Sequence, residues 1–122
     1  IKNNQILNKK IFLHSHSGKL PEYKGSTTIY YSLIKNKKIY CTTFIMNNEI
    51  DKGRILLIKK YKLIKQIKNI DKYDNQIRAK NMLLTLNNFN QLIKSKKKNS
   101  NTDKNSNYFV IHPILRYIAL KN

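Results

Sequence analysis

Three side chains capable of proton transfer, His14, His16 and Asp51, stand out in this sequence. The two histidines occupy alternate positions of a segment that reads as extended, so both imidazoles can point to the same face. An imidazole titrates near neutral pH and can either donate a hydrogen bond or accept a proton. A nearby carboxylate such as Asp51 can raise the pKa of a histidine and relay protons, directly or through a water. These residues predict an acid–base site if the fold brings them together.

The pattern of residues 6–60 predicts the elements that must position them. Runs rich in β-branched and aromatic residues are typical of strands, and Gly and Pro mark loops. We therefore predict an α/β, Rossmann-like fold with its site at strand ends. The strand count is low for a complete doubly wound domain, so we expect the N-terminal part of the domain to be missing. The predicted order is a strand over 11–13, a loop over 14–25, a helix capped by Ser26 or Thr27 and running to 34, a strand over 39–46, a loop over 47–53 and a strand over 54–58.

The second half of the sequence predicts a long helix and a polar linker. Apolar residues at helical spacing favour a helix over 73–94 with a core-facing stripe. Residues 95–107 have the composition of a mobile linker, and the apolar segment 108–122, interrupted by Pro113, is expected to dock onto the core. The predicted division is a catalytic half over 1–94, the linker over 95–107 and the docking segment over 108–122. The helical stripe consists of Ile77, Met82, Leu86, Phe89 and Ile93.

Two loops carry a resemblance to a known family. The first reads HSHSGKLPEYKG from His14 to Gly25 and resembles the H-x-S/G-x-L-P-x-Y-R/K-G signature of the formyltransferases. That family includes the methionyl-tRNA, glycinamide ribonucleotide and sugar-amine formyltransferases. The second reads MNNEIDKG from Met46 to Gly53 and is similar to the family's M-D-E-G-L/I-D-x-G loop. A helix and one strand separate the two loops, as in the family, and the match covers residues 6–60.

The resemblance implies an enzyme that transfers a formyl group from 10-formyltetrahydrofolate to an amine, through a tetrahedral intermediate. The family's catalytic trio is an Asn, a His and an Asp. By position the His is His16 and the Asp is Asp51, whereas the Asn falls on His14. An imidazole at 14 can donate a hydrogen bond as Asn does, with a different reach and pH dependence.

The resemblance also implies where folate and the acceptor bind. The pteridine ring would lie against Phe12 and against the backbone of Met46, Asn47 and Asn48. The turn at Gly25 and Ser26 opens a helix and would face the acceptor, where a helix N-terminus suits an anionic group such as phosphate. The acceptor amine, either a small molecule or linked to tRNA, is not specified by the sequence.

Two alternatives concern the same residues. His14, His16 and Asp51 also form the set of a site with two histidines and one carboxylate as metal ligands. We expect no metal there, because such a site would not explain the Gly and Pro residues that frame the two loops. A fold that has lost formyltransferase activity is the other alternative, since His14 replaces the usual Asn.

The net charge of +19 suggests nucleic acid as a partner. However, Lys, Asn, Ile and Tyr are abundant, as A/T-rich codons would produce, and only three of the 25 basic residues are Arg. A lysine-rich RNA-binding or ribosomal protein is therefore the alternative and not the main hypothesis. No apolar run approaches the ~20 residues of a membrane span, and Cys41 is alone, which excludes an internal disulfide. We expect a cytoplasmic protein without a membrane partner.

Overall fold

The computed structural model describes residues 10–63, 69–95 and 108–121. Within these ranges the chain is α/β, as predicted, with a sheet of three strands and helices packed against it. No helix in the described ranges is both long and apolar enough to cross a membrane. The elements are β1 (Leu13–His16), α1 (Thr28–Asn36), β2 (Ile39–Met46), β3 (Gly53–Tyr61), α2 (Ile70–Asn87), α3 (Phe89–Lys94) and α4 (Pro113–Lys121).

The described strands pair antiparallel in the order β1-β2-β3, unlike the parallel strands of a doubly wound sheet. His14 lies opposite Phe44, and His16 lies opposite Thr42. The first strand was predicted too early in the chain. Because residues 13–16 pair with β2, both histidines lie in a strand and not in the loop predicted over 14–25. The second strand has the predicted bounds, and the third is longer than predicted.

The long helix is broken in two. Asn69 caps α2 by accepting a hydrogen bond from the Lys72 backbone N–H, so the helix begins before the predicted start. It ends at Asn87, and α3 follows after Asn88. The predicted core stripe is wrong at Leu86, whose exposed fraction is 54%. Ile77 is buried, and so are two polar residues of α2, Asn81 and Thr85.

A polar layer joins α2 to the sheet. Asn81 is fully buried, and its Nδ2 donates to Thr43 Oγ1 at 2.7 Å. Its Oδ1 accepts from the Tyr61 hydroxyl at 3.0 Å. Ser15 Oγ and Thr43 Oγ1 share a hydrogen bond of 2.7 Å. Since buried polar groups cost free energy unless they are paired, this network fixes one position of α2 on the sheet.

The segment 108–111 returns to the loop between β1 and α1. Lys24 and Tyr108 form a parallel bridge, and Phe109 N donates to Lys24 O at 2.7 Å. Ile111 and Ala119 are buried in one cluster with residues of α1 and α2. Pro113 begins α4, where its missing N–H costs no helical hydrogen bond. Of the linker predicted over 95–107, only Ser95 is among the described residues, and residues 64–68, between β3 and α2, also lie outside them.

Candidate active site

The two histidines of β1 lie on the same face of the strand. Their ring centroids are 6.4 Å apart, and the His14 ring meets the Phe44 ring edge-on at 5.6 Å. Ser15, between them, points to the other face, toward Thr43 and α2. His16 is buried with an exposed fraction of 5%, whereas His14 is half-buried. The strand thus places the His16 imidazole in the interior and the His14 imidazole nearer the surface, on the same face of the sheet.

The hydrogen bonds of His16 define its tautomer. Nε2 lies 2.7 Å from the backbone oxygen of Tyr23. A carbonyl oxygen only accepts, so Nε2 carries the hydrogen and donates it. In the neutral ring Nδ1 is therefore a lone-pair acceptor, and it faces Asp51 Oδ1 at 3.8 Å. His16 is positioned to take up a proton at Nδ1, beside a carboxylate that stabilises the resulting cation.

The loop from Ser17 to Gly25 is anchored on β2 and α1. Thr42 Oγ1 donates to Gly18 O at 2.7 Å and accepts from Leu20 N at 3.2 Å. Thr28 Oγ1 donates to the backbone oxygen of Ser17 and lies 3.3 Å from His16 Nε2. A Cβ at Gly18 would lie only 2.9 Å from that hydroxyl. The motif loop thus folds back over His16 and supplies the carbonyl that orients it.

Asp51 reaches the site from the loop between β2 and β3. Its backbone is left-handed, with φ of 50°, and its carboxylate is largely buried. Oδ2 accepts from the Gly25 N–H at 2.7 Å, which leaves Oδ1 as the oxygen that faces His16. The two loops recognised in the sequence therefore meet at one carboxylate. His14, His16 and Asp51 each offer a ligand or proton-binding atom, and these atoms lie within 4.8 Å of one another.

Burial dominates the electrostatics of the two histidines. Desolvation lowers the pKa of His16 below its usual value, and the Asp51 carboxylate and the hydrogen bond to Tyr23 O oppose this only in part. Desolvation also lowers the pKa of His14, with a further contribution from the Arg78 guanidinium. Both imidazoles are therefore neutral at a pH where an exposed histidine is partly charged, as a proton acceptor requires.

Two charged residues of α2, Asp74 and Arg78, lie beside the histidines, and neither was predicted as part of the site. Arg78 Nε donates to Ser15 O at 2.9 Å, and Ser17 Oγ donates to Asp74 Oδ1. The pKa of Asp74 is raised, chiefly by burial. A signal was available, since the sequence has only three Arg and six acidic residues, and Asp74 and Arg78 are four positions apart on a helix.

The residues assigned to folate lie together at one end of the sheet. Met46 N donates to Phe12 O at 2.8 Å, so these two residues are neighbours. Phe12 is half-buried, and Asn47 and Asn48 follow β2 as exposed residues. A half-buried aromatic side chain next to exposed backbone and amide groups suits a flat, polar-edged ring such as a pteridine. These four residues therefore suit the folate that the sequence resemblance implies.

The turn assigned to the acceptor has a neighbour in the chain itself. Gly25 has φ of +108°, and a Cβ there would lie 2.6 Å from Phe109 O. The close backbone approach that requires a glycine is thus made by Phe109. Ser26 is exposed, and Thr27, the residue before α1, accepts from Ile111 N at 3.0 Å.

The described chain is an α/β domain with a buried His–Asp pair at a strand end, and solved structures have the same fold. A sugar N-formyltransferase from Shewanella sp. is 21% identical with a TM-score of 0.61, over 96% of this chain and 53% of that protein. A 4-N-formyltransferase from Francisella tularensis is 19% identical with a TM-score of 0.62, over 97% and 54%. WlaRD, a sugar 3N-formyltransferase solved in the presence of dTDP and 5-N-formyl-THF, is 25% identical with a TM-score of 0.57, over 80% and 36%.

These likenesses show that the chain has the fold of part of the sugar N-formyltransferases. The chain spans about half the length of the first two solved proteins. No protein-family model and no curated protein matches the sequence significantly.

Proposed function

We propose that this chain carries the proton-transfer half of a folate-dependent N-formyltransferase, which moves a formyl group from 10-formyltetrahydrofolate to an amine. The observation that carries the proposal is the buried pair of His16 Nδ1 and Asp51 Oδ1, 3.8 Å apart. His16 ends β1 and Asp51 lies in the loop before β3, within the two segments that match the family's signatures. The likeness in fold to sugar N-formyltransferases supports the same assignment.

In this proposal His16 takes the proton that the attacking amine loses. Its Nε2–H is committed to Tyr23 O at 2.7 Å, so the proton goes to Nδ1. Asp51 lies on that side and stabilises the imidazolium, while the Gly25 N–H fixes the carboxylate at 2.7 Å. His14 is the auxiliary donor in the position where the family has Asn. General acid–base transfer of this kind typically accelerates a reaction by about 10²–10⁴-fold.

Phe12, Met46, Asn47 and Asn48 would hold the folate, which supplies the formyl group when bound. The acceptor is proposed to be an amine on a small molecule, with Gly25 and Ser26 facing it. A nucleotide-linked amino sugar is the first candidate, because WlaRD was solved with dTDP and 5-N-formyl-THF. Such an acceptor carries phosphates, which suit the positive end of α1.

The proposal is tested first by folate binding. Titration calorimetry with 5-N-formyl-THF, a non-transferring analogue, should show one site on the wild type. Phe12→Ala should weaken that binding at least tenfold, whereas Phe109→Ala, on the Tyr23 side of the loop, should not. No binding by the wild-type protein would exclude the assignment.

Turnover then tests the pair. Formyl transfer to a dTDP-linked amino sugar should fall at least a hundredfold in His16→Gln and in Asp51→Asn, with little change in 5-N-formyl-THF affinity. The amide oxygen of the Asp51→Asn variant can still accept from the Gly25 N–H, so the loop keeps its hydrogen bond. A loss of activity in that variant is therefore due to the missing charge. Undiminished transfer in His16→Gln would rule out the mechanism.

A further inference from the structure

Contrary to the expectation from the sequence alone, we propose that His14, His16 and Asp51 also form a binding site for a divalent transition metal, with Zn²⁺ as the preferred ion. The formyltransferases have Asn at the position of His14. Because this chain has His14 there, the site contains two histidines and a carboxylate where the family has one histidine and a carboxylate. Imidazole nitrogens and a carboxylate oxygen are the ligand types that Zn²⁺ selects.

The separations suit a tetrahedral ion. Bonds of about 2.0–2.2 Å at tetrahedral angles separate two ligand atoms by roughly 3.4 Å. His16 Nδ1 and Asp51 Oδ1 are 3.8 Å apart, and all three ligand atoms lie within 4.8 Å. Metal binding thus requires His14, the half-buried member, to approach the other two ligands by up to roughly an ångström, and His16 and Asp51 to approach each other by a few tenths of an ångström.

The hydrogen bonds of His16 and Asp51 are of the kind that orients metal ligands. A histidine that binds a metal through one nitrogen usually donates its other N–H to a carbonyl or carboxylate, which fixes the ring. His16 Nε2 does so to Tyr23 O at 2.7 Å, which leaves Nδ1 for the ion. A ligating carboxylate is also usually hydrogen-bonded, and Asp51 Oδ2 accepts from Gly25 N at 2.7 Å. Two of the three ligands are therefore held in place before any ion arrives.

The nearby charges set the affinity. The Arg78 guanidinium lies close enough to act on both histidines, and it opposes a cation. Asp74 lies on the same helix, 3.9 Å from Arg78 at the closest ion-pair contact, and it offsets part of that charge. Because the ion would take His16 Nδ1 and Asp51 Oδ1, it would inhibit the formyl transfer proposed above. The site itself does not depend on that activity.

The test is a titration with Co²⁺, which reports a tetrahedral site with nitrogen and oxygen ligands by its visible absorption. The wild type should bind one equivalent of Co²⁺, and one equivalent of Zn²⁺ should remove the band. His14→Asn and Asp51→Asn should each weaken Co²⁺ binding at least tenfold. His112→Asn, which changes the histidine outside the site, should bind as the wild type does.

Thermal unfolding provides the second readout. Zn²⁺ should raise the Tm of the wild type and of His112→Asn, but not that of His14→Asn. A wild type without a stoichiometric Co²⁺ band overturns the proposal, and so does a His14→Asn variant with wild-type affinity. Titration with 5-N-formyl-THF is a separate measurement, so a protein that binds Co²⁺ but no folate refutes the proposed function and leaves the metal site standing.

Discussion

The backbone N–H of Gly25 donates to Asp51 Oδ2 at 2.7 Å, across 26 positions of the chain. This hydrogen bond joins the two loops of the candidate site. It sets which carboxylate oxygen faces His16, and it depends on a backbone conformation that glycine alone adopts readily. Gly25 therefore connects the turn before α1, the carboxylate and the C-terminal segment.

Replacement of Gly25 by Ala should detach segment 108–111 and loosen Asp51. The new Cβ would lie 2.6 Å from Phe109 O, at φ of +108°. Strain of this kind costs of order 1–3 kcal/mol. We expect a matching drop in the free energy of unfolding and faster hydrogen exchange at the Phe109 amide, which donates to Lys24 O. Ser26→Ala, next to it and exposed, is the control and should change stability by less than about 0.5 kcal/mol. Equal exchange at Phe109 in both variants would contradict this role of Gly25.

Asn81→Ala should destabilise the protein by about 2 kcal/mol, because it leaves Thr43 and Tyr61 without a partner that they now have. Urea unfolding measures the loss. Asn75→Ala, on the exposed side of the same helix, is the matched control. A difference of less than about 0.5 kcal/mol between the two variants would show that the polar layer does not fix α2.

Cys41 should resist alkylation in the folded protein. Burial raises the pKa of its thiol to about 12, and its side chain is fully buried in β2. A rise from 9.0 lowers the thiolate fraction at neutral pH by about a thousandfold, and burial blocks the reagent as well. Labelling with a thiol reagent should be stoichiometric in guanidinium and at least a hundredfold slower in native buffer. Rapid native labelling would mean that β2 opens locally.

Stability should fall on the acid side because both site histidines have lowered pKa values. The unfolded chain binds their protons from about pH 6.5 downward, and the folded chain binds them only at lower pH. The stabilisation is thus complete above the unfolded pKa and is lost as the pH falls through the folded values. Asp74 has a raised pKa and acts in the opposite direction, at the acid end.

The variant His14→Asn isolates this effect. It removes one of the two titrating histidines and leaves Asp74 in place. The contribution of the Asp74 carboxyl therefore cancels in the difference in stability between wild type and variant. Urea midpoints measured at steps below about pH 6.5 should fall less steeply in the variant than in the wild type. Parallel curves would show that burial does not lower the pKa of His14.

The sequence predicted which residues come together better than the elements that carry them. His14, His16 and Asp51 offer atoms within 4.8 Å of one another, and their catalytic roles stay a prediction. His14, His16 and Asp51 could be paired because their spacing and loop signatures are local. The first strand was predicted to start two residues and to end three residues too early, because pairing of residues 13–16 with β2 is a tertiary contact that apolar residues 11–13 do not reveal. The core stripe of α2 failed at Leu86 for a related reason, since Asn81 and Thr85 bury a polar face that hydrophobic periodicity cannot detect.

The spacing of Asp74 and Arg78 marks them as a pair on one helix, but it does not reveal which residues they contact. Their contacts reach Ser17 and Ser15 across 57 and 63 residues, and no local pattern signals such a distance. The sequence does not predict the break at Asn88, because Asn is tolerated within a helix.

The contact of segment 108–111 with the turn before α1 has a consequence for synthesis. Ile111 binds Thr27 across 84 residues. At about 5–20 residues per second, a ribosome needs roughly 4–17 s to translate that stretch. His16, Gly25 and Asp51 are thus part of the nascent chain for several seconds before residues 108–111, which bind the turn at Gly25, are synthesised. The His16–Asp51 pair is encoded early, and the loop beside it is held by a segment that is translated much later.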